Sequence, residues 1–207
     1  MIVELMYKGG LVMWPIVFVA FLAVFLIVLK AVNLLPLYVR YRKSNVVEET
    51  KILLQKENYQ EAREQLSKQG PIEEMLLKGI DYIQLDYSEE AIKDRLELIV
   101  TKHGFQFEKR MQLILVLAEI MPMLGLLGTV SGMINVFKAI SVFGTSDAQA
   151  LATGISEALI TTQVGLVLAV PTMFFYTILN HYIDFKLNYM KQAGSSIVTV
   201  SRYLSGR

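Results

Sequence analysis

The sequence predicts an all-α membrane protein with three transmembrane helices and long helical cytoplasmic extensions. Three observations carry this. The 207 residues are 54% hydrophobic and only 19% charged, whereas soluble domains sit near ~25% charged. From Gly9 to Leu29 no side chain bears a formal charge, and ~20 helical residues rising ~1.5 Å each match the ~30 Å hydrocarbon core of a bilayer. Two further apolar stretches, 111–143 and 150–185, are long enough to do the same.

The first span, within residues 1–38, reads as a retained helix. Its start has no basic excess, its apolar run is too long for a signal peptide, and no small-x-small site follows. Trp14 suits one interface and Lys30 the other. The link at 144–149, with Gly144, Ser146 and Asp147, reads as a turn that makes the second and third spans antiparallel neighbours. Basic residues then set the orientation. Arg40, Arg42 and Lys43 follow the first span, Lys102, Lys109 and Arg110 precede the second, and Lys186 and Lys191 follow the third. The other side has little beyond Glu4, Lys8 and Asp147. An excess of Lys and Arg marks cytoplasmic loops, so the N-terminus and the 144–149 turn are expected outside and the C-terminus in the cytoplasm.

The cytoplasmic regions, 39–110 and 186–207, read as helical. Gly70-Pro71 closes one helix and opens the next, and Ser88 before Glu89 and Glu90 is a helix start. Ile92, Leu96 and Ile99 form one apolar stripe; Leu187, Met190, Ala193, Ile197, Val200 and Leu204 form another. The stripes are expected to pack on each other, the alternative being a membrane-surface or partner-binding helix. No stop signal separates the 88–110 helix from the second span, although Gly104 weakens it.

Several functions are disfavoured. A net charge of +1 gives no reason to expect nucleic acid. Without cysteine there is no disulfide and no thiolate-held metal or cluster. His103 and His181 lack a second histidine at metal spacing and read as solvated or interfacial rings. No nucleophile–base pair, phosphate loop or catalytic acid pair stands out, so neither an enzyme nor a cofactor is expected.

Polar residues inside the spans are more informative. Gly125, Gly128 and Gly132 in the second span, the latter two a G-x-x-x-G pair, let another backbone come close. The third span holds Glu157, Thr161, Thr162 and Gln163, and a carboxyl within a membrane is costly enough to mark a functional site. Counted from the turn, Thr129 and Thr162 fall ~25 Å along their helices and Glu157 ~16 Å. These groups can form a polar track; the alternative is an interhelical hydrogen bond plus a glutamate near the headgroups. Glu119, before Pro122, counts as interfacial at the cytoplasmic boundary, and Lys138 is placed to snorkel at the outer one. On that count Glu157 is the only deep carboxyl, so the chain looks incomplete as a proton conductor. A passive scaffold is the competing class: it needs the small-residue faces but not Glu157 or the threonines.

The segments Met121–Ser141, PMLGLLGTVSGMINVFKAIS after its first residue, and Gly154–Pro171, with GISEALITTQVGL, resemble the last two membrane helices of the ExbB/TolQ/MotA proton-channel family. With three spans the chain looks like the ExbB/TolQ branch. The resemblance implies a homopentamer around a pore, holding membrane helices from an ExbD/TolR-like dimer whose intramembrane aspartate carries the proton. Motion would pass to the outer membrane through a TonB-like or TolA-like protein. It also implies that Thr129 and Thr162 line the pore and that Glu157 is the intramembrane glutamate; this sequence departs from the family pattern in that Thr161 doubles the threonine and Glu119 precedes the first proline. Gly125, Gly128, Gly132, Gly165 and Pro171 are the expected helix-packing positions.

Overall fold

The computed structural model describes residues 6, 9–41, 46–66, 70–143 and 148–205. The expected turn falls at 144–147, outside the described residues. The helices are α1 Met13–Tyr41, α2 Val46–Gln55, α3 Tyr59–Gln65, α4 Pro71–Gln84, α5 Glu89–Glu108, α6 Met111–Phe143 and α7 Ala148–Ser205. The fold is all-α, with no strand among the described residues. Three helical segments are long and apolar enough to cross a membrane. Contacts divide the chain into two compact units, Met1–Asn33 with Arg110–Leu179, and Leu34–Lys109 with Asn180–Arg207.

In the first unit α1 is apolar all round yet packs by one face. Met13, Ile16, Ala20, Ala23 and Ile27 are buried at intervals of three or four residues, while Phe18 (67%), Phe21 (71%) and Phe25 (51%) are exposed. Uncharged surface of this kind belongs in lipid or against protein. Ala20 and Ala23 have no bulk to hold helices apart, so Met121 of α6 and Ala169 of α7 close onto them, flanked by Val19, Leu117 and Leu168. Pro122 and Pro171 sit inside α6 and α7; each removes one backbone donor and frees the carbonyl four residues earlier.

The second unit has its own core. The two predicted stripes meet: Ile92 and Leu96 of α5, joined by Val100 with Ile99 only partly buried beside them, pack with Met190, Ala193, Ile197 and Val200 of α7, around Leu54, Leu66, Met75, Leu76 and Ile80. Gly79 is required here, because a Cβ on it would stand 2.8 Å from Ile197 Cγ2. The helix starts match the sequence signals. Pro71 occupies the first turn of α4 after Gly70, and the Ser88 hydroxyl accepts from the Ala91 amide at 3.4 Å. Arg202 binds Glu89 through two guanidinium nitrogens, and this contact holds the Glu89 carboxyl below its ordinary range.

Two expectations change. α5 does not run into α6: it ends at Glu108, and Arg110 takes a left-handed φ of 72°. Lys109 and Arg110 are good helix formers, so nothing local announces the break. His103 is buried rather than solvated. Its ring stacks on Phe107 with centroids 6.1 Å apart. Nε2 lies 3.2 Å from a Glu74 carboxylate oxygen, in ion-pair range but out of line for a hydrogen bond.

Candidate functional site

The candidate site is the seam between α6 and α7. A Cβ on Gly125 would stand 3.0 Å from Thr162 Cα, and one on Gly132 would stand 2.9 Å from the Gly154 carbonyl oxygen. On α7, a Cβ on Gly165 would stand 2.7 Å from the Met121 carbonyl oxygen. A Cβ on Gly128 would overlap the Thr161 side chain. These glycines thus bring two helices of the same chain into backbone contact, which is where small residues act in membranes. Pro171 lies outside the seam, on an exposed side of α7.

With the backbones this close, the threonines find carbonyls. Thr162 Oγ1 donates across the seam to the Gly125 carbonyl at 2.8 Å. Thr161, fully buried, donates to carbonyls of its own helix, Ala158 at 2.8 Å and Glu157 at 3.1 Å. Thr129 likewise donates to Leu126 at 2.7 Å on α6. Each hydroxyl keeps acceptor capacity after donating its proton. Only Thr162 and Thr129 remain partly exposed; Thr161 fills the interface against Gly128.

The paired contacts fix the helix register. Gly125 meets Thr162 and Met121 meets Gly165, so Thr129 stands about one turn, ~6 Å, from Thr162 toward the Phe143 end of α6 rather than level with it. Glu157 is partly buried, with its carboxylate against Gly10. Gly10 has φ 64°, a left-handed conformation that strains any residue with a side chain. Five residues separate Glu157 from Thr162, which turns them ~140° apart around α7. The structure therefore joins Thr162 to the α6 glycines and sets Glu157 on the flank beside the start of α1. The Gly10 contact was not anticipated; its only signal in the sequence is the pair Gly9-Gly10.

Residues 67–192, more than half of the chain, match the model of the MotA/TolQ/ExbB proton channel family. Among similar curated proteins, the biopolymer transport protein ExbB of Pseudomonas putida is 29% identical over 153 residues, 70% of this chain and 46% of that protein. The Tol-Pal system protein TolQ of Haemophilus influenzae is 35% identical over 81 residues, 39% of this chain and 36% of that protein. A biopolymer transport protein ExbB homolog of Methanothermobacter thermautotrophicus is 26% identical over 184 residues, 88% of this chain and 64% of that protein. The chain thus spans less than two thirds of the length of each of these relatives. The three apolar spans and these relatives together make it a multi-pass inner-membrane protein. On the match across the α6–α7 seam and about half of the second unit, the chain belongs to the MotA/TolQ/ExbB proton channel family.

Proposed function

We propose that this chain is the ring-forming subunit of a motor driven by the proton-motive force. Five copies would surround the membrane helices of an ExbD/TolR-like dimer, whose aspartate carries the proton, and a TonB-like or TolA-like protein would carry the motion to the outer membrane. The N-terminus would lie outside, with 39–110 and the C-terminal 186–207 in the cytoplasm. One observation carries the reading: a partly exposed threonine, Thr162, bonded across a glycine-lined seam between two otherwise apolar helices. A scaffold needs the seam but not an accessible hydroxyl on it. A TolQ-like role in envelope maintenance is the second reading, favoured by the Haemophilus influenzae relative.

The test replaces Thr129 and Thr162 by Val and Glu157 by Gln. Energy-dependent outer-membrane uptake, or envelope integrity, is measured beside co-purification of the membrane partner. Loss of function with the partner retained is expected. Normal function in all three variants leaves only the scaffold.

A further inference from the structure

Counting residues from the outer turn puts Glu119 at the cytoplasmic boundary. Packing in the first unit gives a different depth. Met121 shares a buried cluster with Ala20 and Ala23 of α1 and Ala169 of α7, and Leu117 packs against that cluster. Glu119 lies two residues from each, at their mean height and ~200° around the helix, so it points away from α1. It is exposed on that side.

The ends of the uncharged run of α1 serve as a ruler. At one end Gly10 touches Glu157. At the other stands Lys30, the first charged side chain after Gly9. Ala20 is ten residues from Lys30 along α1, ~15 Å, about half of a ~30 Å core. The α6–α7 pair reaches outward past the Gly10 level by nine residues on α7, ~14 Å, which is why counting from the turn misplaces the carboxyl.

A carboxyl near the midplane facing lipid is costly, so this one belongs on a face covered by protein or wetted by a cavity. Thr162 stands at the level of Gly125, six residues and ~9 Å outward of Glu119. Pro122 lacks an N–H, so the Ala118 carbonyl beside Glu119 loses its usual helical donor and is left as an acceptor. We infer that Glu119 is a second intramembrane carboxyl of the ion path, binding and releasing a proton near the midplane on the α6 face that α1 leaves open. This rests on the proton-driven reading above. The step is balanced: a carboxylate oxygen gains an O–H bond as a hydronium or acid gives up its proton. That bond breaks again when the proton passes to the next water or base.

The test uses the full chain in its native membranes. A lipid-soluble carbodiimide reacts with protonated carboxyls in apolar surroundings, and peptide mass spectrometry locates the adduct. Modification of Glu119 is expected. Glu119→Gln should lower energy-dependent function tenfold or more while partner co-purification is unchanged, and Glu119→Asp should recover part of it. Absence of the adduct on Glu119, or full function in Glu119→Gln, overturns the inference. If Thr162→Val abolishes function while Glu119→Gln does not, the motor reading stands and this one fails; if Glu119→Gln is silent together with Thr129→Val, Thr162→Val and Glu157→Gln, the motor reading itself has failed. Should Glu119→Gln not accumulate, adduct formation on the unmodified chain decides alone.

Discussion

Among the single residues, Thr162 and Thr129 separate by what their hydroxyls bond. Thr162 crosses the seam to Gly125, whereas Thr129 bonds its own helix. Thr→Val keeps the shape, and the Gly125 carbonyl still has its helical partner. The interhelical bond is worth ~0.6 kcal/mol on average in membranes, so Thr162→Val should barely affect assembly. Its effect should be on ion movement, and it should be the more severe of the two substitutions, since only Thr162 spans both helices. Thr161→Val should be nearly silent in the same transport assay, because that hydroxyl is buried and bonded within α7. A transport defect in Thr161→Val equal to that of Thr162→Val would break this ordering.

For the helices, glycine has opposite consequences in the two units. At Gly128 an added side chain runs into Thr161, and the seam leaves neither helix room to retreat. Gly128→Leu should destabilise the α6–α7 pair by about 2 kcal/mol or more, the upper range for overpacking a core. A lower midpoint in thermal aggregation of the detergent-solubilised protein checks it. Gly104 in α5 is the contrast. A Cβ there would meet only Leu187 methyls at 3.7 Å, ordinary contact. Gly104→Ala should therefore stabilise the second unit by about 0.5–1 kcal/mol through helix propensity, seen as a higher midpoint in the same measurement. The sequence marks Gly128 as a packing position and Gly104 as a weak point of its helix; the neighbouring helix gives substitutions at the two opposite signs.

For the whole molecule, the testable matters are orientation and assembly. The chain has no cysteine, so single cysteines report without background. Gln149→Cys, at an exposed site on α7, should react with an impermeant thiol reagent in spheroplasts. Gln55→Cys, exposed on α2, should react only after the membrane is opened. The reverse pattern would invert the proposed topology. Purified with its lipids, the protein should give a pentamer by native mass spectrometry, and monomers or dimers alone would count against a ring.

The three spans, the helix starts at Pro71 and Ser88, the two apolar stripes of α5 and α7 and the glycines that meet α7 were all legible in the sequence. Each depends on hydropathy, spacing or cap chemistry within one segment. The depth of Glu119, the flank occupied by Glu157, the one-turn offset of Thr129 from Thr162 and the burial of His103 were not. Each depends on how far one helix slides and turns against another. Ala20 and Ala23 closing on Met121 and Ala169 set that register for α1, and Gly125 meeting Thr162 sets it for the seam. Sequence determined which segments are apolar enough to span a membrane, because hydropathy is a property of each segment alone. Tertiary structure decided which polar groups share a level and a face, because register comes from contacts between segments far apart in the chain.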